Sequence, residues 1–340
     1  MEVRTRGKDT DPLGAIGSLR VGFEVVGRHL WLIILPVLLD LFLWLGPRLS
    51  AAPLFKRLAA YLVAQPMPDP TMAPQVEQAV QLLEQTGERF NLFALLAAVP
   101  LLDVPSLLAR RVPEMMTPLG ESPELLITGV LALMAWVAVL IPAGPVLGFV
   151  YLNSLARRVR AARIAEGKNK VGAAGRVFET SSVTRKLISM FLFITGLLMA
   201  GMLLAPLWSL MVGIVLMVAP PIGFLVWILS VAFGGYLALH LMFVVHGVLL
   251  GERGLFRATV ESFMLIQTQF SSAVALVLLV LVIYEGLGFI WSLPSDGSWT
   301  LVVGILGNGC IATGLTAATF VFYQERIGQI PQLGRVSTGD

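Results

Sequence analysis

Charge is what this sequence has least of. Of its 340 residues 13% are Asp, Glu, Lys or Arg, 56% are hydrophobic, and the mean hydropathy is +0.83. A soluble domain typically carries about 25% charged residues, so a water-soluble globule is excluded and an integral membrane protein is expected. Cysteine is reduced to Cys310, inside an apolar run; an intramolecular disulfide and paired-thiol redox chemistry are thereby excluded. Three His are too few for a His-rich metal centre.

Catalytic motifs are missing as well. The run Gly167-Lys168-Asn169-Lys170-Val171-Gly172 lacks the terminal Gly-Lys-Ser/Thr that seats nucleotide phosphates. There is no HExxH or paired CxxC to ligate zinc, and no Gly-x-Ser-x-Gly elbow to present a serine nucleophile. The paired-Asp signature of membrane phosphoalcohol transferases is absent too. The expectation is a non-enzymatic chain with no cofactor and no metal. The pI near 9.2 does not point to nucleic acid, because the basic cluster Arg157–Arg163 abuts an apolar span and suits a membrane surface.

What the chain has in abundance is apolar length. About twenty apolar residues cross a 30 Å hydrocarbon core. Six runs qualify: Leu30–Gly46, Leu125–Leu152, Leu187–Ala205, Ile222–Leu250, Ala273–Trp291 and Leu301–Phe322. The first exceeds a usual signal-peptide core and is read as an uncleaved span. Six crossings put both termini on one side. Segments 1–29, 153–186, 251–271 and 323–340 together hold an excess of Lys and Arg, whereas the segments on the other side hold an excess of Asp and Glu. The positive-inside rule therefore places both termini in the cytoplasm of a multi-pass protein of the inner (plasma) membrane. Two segments complicate this count. Residues 91–108 are apolar but carry Pro100, Asp103 and Pro105, and read as an interfacial or re-entrant element. Residues 207–218 lie between Pro206 and Pro220-Pro221; they extend the third span, re-enter the membrane or add a crossing.

A short pattern recurs three times ahead of a span: Gly17-Ser18-Leu19-Arg20-Val21-Gly22-Phe23-Glu24, Ala174-Gly175-Arg176-Val177-Phe178-Glu179 and Leu255-Phe256-Arg257-Ala258-Thr259-Val260-Glu261. Ile16, Leu19, Phe23, Val26 and Leu30 make one helical stripe, and Phe256, Val260 and Phe263 another. Such helices lie at headgroup level with basic side chains towards anionic lipid. The candidates for that contact are Arg20, Arg28, Arg157, Arg158, Arg160, Arg176 and Arg257. The fold expected is all-α: a polytopic helix bundle of six spans, built as three repeats of interfacial helix plus transmembrane hairpin. It forms a single membrane domain over residues 1–340, with cytoplasmic interfacial helices at 13–29, 171–186 and 253–268.

The segment 48–124 is read as an outer loop insertion with short helices. Pro53–Val63 is amphipathic, Pro66, Pro68, Pro70 and Pro74 form a stiff linker, and Val76, Val80, Leu83 and Phe90 make a helical stripe. It either caps the bundle or docks a partner. Small residues at four-residue spacing, Gly144/Gly148, Ser230/Gly234/Ala238 and Gly309/Thr313/Ala317, predict close helix contacts inside the bundle, or else a homo-oligomer face.

Asp40, His240 and Glu285 lie inside predicted spans, where a charge costs at least about 2.5–3.5 kcal/mol. They read either as structural hydrogen-bonded groups or as a proton or cation relay. The Leu19–Glu24 and Leu255–Glu261 segments with their spans resemble a group of bacterial integral membrane proteins that includes the membrane domain ahead of some glycerophosphodiester phosphodiesterases. The resemblance covers most of the chain except the outer loop. It implies a membrane domain without catalytic residues, since the soluble phosphodiesterase part has no counterpart here. The leading expectation is a protein that organises lipid or a membrane protein complex; the alternative is a small-solute or ion transporter using Asp40, His240 and Glu285.

Overall fold

A computed structural model describes residues 13–65, 73–111, 116–165, 180–251 and 254–327. Its helices are α1 (Ala15–Arg28), α2 (Ile34–Leu45), α3 (Ala52–Ala64), α4 (Ala73–Arg89), α5 (Val130–Ala165), α6 (Thr180–Val218), α7 (Pro220–Gly251), α8 (Leu255–Trp291) and α9 (Leu301–Ile327). Short strands β1 (Arg48–Ser50), β2 (Met116–Thr117), β3 (Gly120–Glu121) and β4 (Glu124–Leu126) complete it. Helices α5 to α9 are each long and apolar enough to cross a membrane. The chain is thus an all-α, multi-pass membrane protein.

The first expected span, Leu30–Gly46, is not one helix. A 3-10 turn over Leu30–Ile33 precedes α2, whose 12 residues rise about 18 Å at 1.5 Å each, short of a 30 Å core. It passes the length test for crossing only when taken together with α1, across the break at His29. The segment 207–218 is simply the continuation of α6 through Pro206. Only Ala219 then separates α6 from α7, whose first residue is Pro220, where the missing N–H costs nothing.

The chain forms two compact units: residues 1–28, 156–281 and 314–340, and residues 29–155 and 282–313. In the first, α6 and α7 form a hairpin. The Trp208 indole donates to Ser230 Oγ at 3.0 Å, while the Lys186 ammonium, buried, donates to the Leu249 carbonyl at 2.9 Å. A core of Phe243 from α7, Leu265, Ile266, Ala273 and Leu276 from α8, and Phe322 and Tyr323 from α9 binds the helices together. Helix α8 breaks at Gln269 (φ −127°, ψ 31°), one residue past the segment 253–268.

The packed faces of the lead-in helices include only part of the apolar stripes. On α1 the buried residues are Ser18, Leu19, Gly22, Val25 and Val26, with Ile16 exposed. On α8 they are Ala258, Glu261, Ser262, Leu265 and Ile266, with Phe256 exposed. Small and polar residues share the contact with Leu19, Val25, Val26, Leu265 and Ile266, and small ones let helices approach closely in lipid. Of the 171–186 helix, 171–179 lie outside the described residues, and α6 starts at Thr180.

The second unit contains the insertion. Helices α3 and α4 pack together, with Phe55 of α3 against Gly87 of α4 and Lys56 bridging Glu88 at 2.8 Å. Beyond the short helices expected there, β1 pairs in parallel with β4, Arg48 opposite Glu124, and β2 pairs antiparallel with β3. Strand pairing satisfies backbone groups in a region too proline-rich for continuous helix.

Two glycines mark close approaches to neighbouring backbone. A Cβ on Gly22 would lie 2.5 Å from the Ala318 nitrogen on α9, and one on Gly148 in α5 would fall inside van der Waals contact with the Leu102 carbonyl, its carbon only 2.5 Å away. Gly22→Val and Gly148→Val should each lower thermal stability in detergent by at least about 1–3 kcal/mol, the usual overpacking cost. Gly27→Ala, where nothing lies within 4 Å, should be neutral or stabilising. Equal melting midpoints for Gly22→Val and wild type would refute the helix contact.

Candidate functional site: a buried carboxylate and an arginine-lined cavity

The second unit concentrates the chain's polar chemistry. Asp40 lies on the buried face of α2, fully buried with Leu39 and Leu43 beside it. Its Oδ2 accepts from the Leu107 amide at 3.0 Å and its Oδ1 from the Leu108 amide at 3.1 Å. The Ser106 hydroxyl also donates to Oδ1. Every neighbour is a donor, the arrangement an ionised carboxylate requires. Ser106 Oγ in turn accepts from the Ala109 amide at 3.0 Å, capping the 3-10 turn Leu108–Arg110. Asp40 therefore holds the start of that turn by its unsatisfied N–H groups.

The segment so held, 91–111, is neither a span nor one helix. A 3-10 stretch over Leu92–Ala97, capped by Asn91 Oδ1 accepting from the Phe93 amide at 3.1 Å, leads into non-helical chain through Pro100 and Pro105. Its backbone lies against α5. Gly144 faces the Leu95 and Leu96 carbonyls, and Gly148 faces Leu102. These glycines were expected to admit another helix; they admit this segment. Gly309 of α9 does meet a helix, lying against Val37 of α2, and Thr313 accepts from or donates to the Tyr151 hydroxyl at 3.1 Å. Among the described residues of the first unit nothing lies within 4 Å of a Cβ placed on Gly234.

Two arginines finish the segment. Arg110 Nη1 pairs with Glu285 Oε1 at 3.0 Å and its guanidinium stacks 4.5 Å from the Tyr284 ring centre. Both partners of the ion pair are exposed, 54% and 68%. Arg111 Nη1 lies 3.3 Å from Asp296 Oδ1, and its Nη2 donates to the Pro294 carbonyl at 3.3 Å. The Trp44 indole donates to the Asp296 carbonyl at 2.7 Å. The end of α2, the turn after Ser106 and the chain between α8 and α9 are thereby joined.

Beside this junction a cavity of about 270 Å³ opens, with Trp44, Arg48, Arg89, Phe90, Arg111 and Asp296 among its walls. Arg48 is 4% exposed. Its Nη2 donates to the Glu88 and Arg89 carbonyls at 3.2 and 3.3 Å, and Glu124 stands 3.8 Å from its Nη1. Among the described residues no three His, Cys, Asp or Glu side chains gather into a metal-binding group.

The three intramembrane candidates do not share partners. His240, in the first unit, is fully buried; its Nδ1 donates to the Tyr236 carbonyl at 2.8 Å, and its ring lies 4.2 Å from Tyr236 and 4.7 Å from Phe263. Glu285 is exposed beside Arg110. Of the lipid-surface candidates, Arg20, Arg28, Arg157, Arg158 and Arg257 are exposed and Arg160 is half-buried; Arg176 lies outside the described residues. Arg28 pairs with Glu24 at 2.5 Å and Arg257 with Glu261 at 3.1 Å. Sequence reasoning missed Arg48, Ser106, Arg110, Arg111 and Asp296. The Arg110-Arg111 pair following a proline-broken apolar run was the one local signal available.

No family model matches this chain, and no curated protein or solved structure is similar to it.

Removing the Asp40 acceptor strands two buried amides and a hydroxyl, about 1–3 kcal/mol for each. Asp40→Ala should therefore depress the melting midpoint strongly, with Asp40→Asn, which keeps one oxygen, falling between it and wild type. An unchanged midpoint in Asp40→Ala would contradict the clasp. A second test concerns pH. Burial pushes the Asp103 carboxyl above its ordinary 3.8, more than its own amide and Arg110 pull it down. The unfolded chain then loses its proton first, so stability falls as pH rises from about 3.8 through the raised folded value and is flat above it. Asp103→Asn should remove that slope in pH-dependent melting; persistence of the slope would assign it elsewhere.

Proposed function

We propose that this chain is a non-enzymatic integral membrane protein that organises lipid or a membrane protein complex. The observation that carries the reading is the use made of the buried charge: Asp40 is occupied by the Ser106 hydroxyl and the Leu107 and Leu108 amides, holding the non-membrane segment to the helices. A carboxylate tied by three donors is a fastening. The transport alternative uses Asp40, His240 and Glu285; within the second unit Asp40 and Glu285 have separate partners, which favours the fastening role.

In this reading both termini are cytoplasmic and the membrane is the inner, plasma membrane. Exposed Arg157 and Arg158 near the end of α5 support an inner-leaflet location there. Segment 48–124 then faces outward, where α3, α4 and the strand pairs present surface for lipid or a partner, with a homo-oligomer as one form of complex. The three-repeat arrangement and kinship with the membrane domain of some glycerophosphodiester phosphodiesterases belong to the same proposal.

The test uses purified protein in liposomes and, in parallel, mild-detergent pull-down read by mass spectrometry. The expected result is no proton or ion flux together with reproducible co-purification of a lipid or protein. Flux that Glu285→Gln or His240→Asn abolishes would overturn the proposal in favour of transport.

A further inference from the structure

We infer that the cavity between the end of α2, α4 and the turn after Ser106 binds the headgroup of an anionic phospholipid. Three guanidinium groups, Arg48, Arg89 and Arg111, line it against one carboxylate, Asp296. Of the described acids nearby, Glu88 bridges Lys56 at 2.8 Å, outside the cavity lining, and Glu124 stands at a loose 3.8 Å from Arg48. Among the described lining residues, cationic side chains outnumber carboxylates three to one. Arg48 is held in place by two carbonyls, is 4% exposed, and among the described residues its Nε–H has no hydrogen-bond partner. A buried guanidinium donor left over after the protein's own acceptors are used costs free energy unless a ligand accepts from it. Arginines present their donors in the planar fork that matches phosphate oxygens.

Size and surroundings narrow the anion. At about 270 Å³ the cavity falls just under the roughly 300 Å³ at which drug-sized ligands begin, enough for a headgroup and too small for a whole lipid. Leu43, Trp44, Leu82 and Phe90 give it an apolar wall beside the arginines, the pairing an amphiphile needs and a free ion does not. Leu43 and Trp44 form the last turn of α2, and Asp296 follows the end of α8, so the cavity sits where apolar helix gives way to polar chain. Trp is enriched at that depth in membranes.

The inference rests on the lipid-organising reading for the source of the phosphate, while the anion site stands on the arginines alone. Titration calorimetry on the full chain in an uncharged detergent tests it with three probes: short-chain phosphatidylglycerol, short-chain phosphatidylcholine and inorganic phosphate. Wild type should bind phosphatidylglycerol at least tenfold more tightly than either other probe. Arg89→Gln, at an exposed position, and Arg111→Gln should each weaken that binding at least tenfold with the melting midpoint of Arg89→Gln unchanged. Inorganic phosphate binding as tightly as phosphatidylglycerol would overturn the lipid assignment. Absent binding, equal binding of phosphatidylcholine, or affinity indifferent to both substitutions would overturn the site. Those failures alongside a reproducible co-purified partner leave the organising role standing; flux through liposomes removes that role without touching the calorimetry.

Discussion

The bond set around Asp40 is the constraint on which the second unit depends. A carboxylate buried among leucines is unfavourable unless its oxygens are filled, and the segment 106–108 fills them. The same bonds satisfy amides at the start of a 3-10 turn that no helix precedes. Two liabilities, an intramembrane charge and an irregular backbone, cancel each other. Buried irregular backbone needs its polar groups satisfied, and here Asp40 supplies the acceptors. Arg110 and Arg111 follow directly, so the position of this clasp also sets where the arginines reach Glu285 and Asp296 and thus where the cavity forms.

Much of the architecture was legible in the sequence. The apolar runs from Leu125 onward became α5 to α9, because twenty or more apolar residues leave a chain in lipid no alternative to helix. The stripe at Val76, Val80 and Leu83 lies within α4. The faces that pack on other helices were not identified in advance. Ser18, Gly22 and Ser262 are buried beside Leu19 and Leu265, while Ile16 and Phe256 are exposed, and small residues admit close helix contact in lipid. The same logic explains Gly148, which was read as a site of close approach but whose partner, the backbone at Leu102, could not be known.

The site was less legible than the fold. Asp40 stood out because a lone acid in an apolar run is costly, but its partners lie 66 to 68 residues away in sequence. Nothing local in Pro105-Ser106-Leu107-Leu108 announces a carboxylate. Arg48 and Asp296 look like ordinary residues at the ends of spans; only the pairing of β1 with β4 and the Trp44–Asp296 bond bring them to one place. Glu285 likewise stood out in its apolar run, but its partner Arg110 lies 175 residues away in sequence.

Hydrogen exchange at the Leu107 and Leu108 amides tests the Asp40 clasp most directly. In full-length protein held in uncharged detergent, peptides covering 106–111 should exchange slowly, and in Asp40→Leu they should exchange fast while α9 stays protected. Fast exchange of those amides in the wild-type chain, or protection that Asp40→Leu leaves intact, would contradict the account.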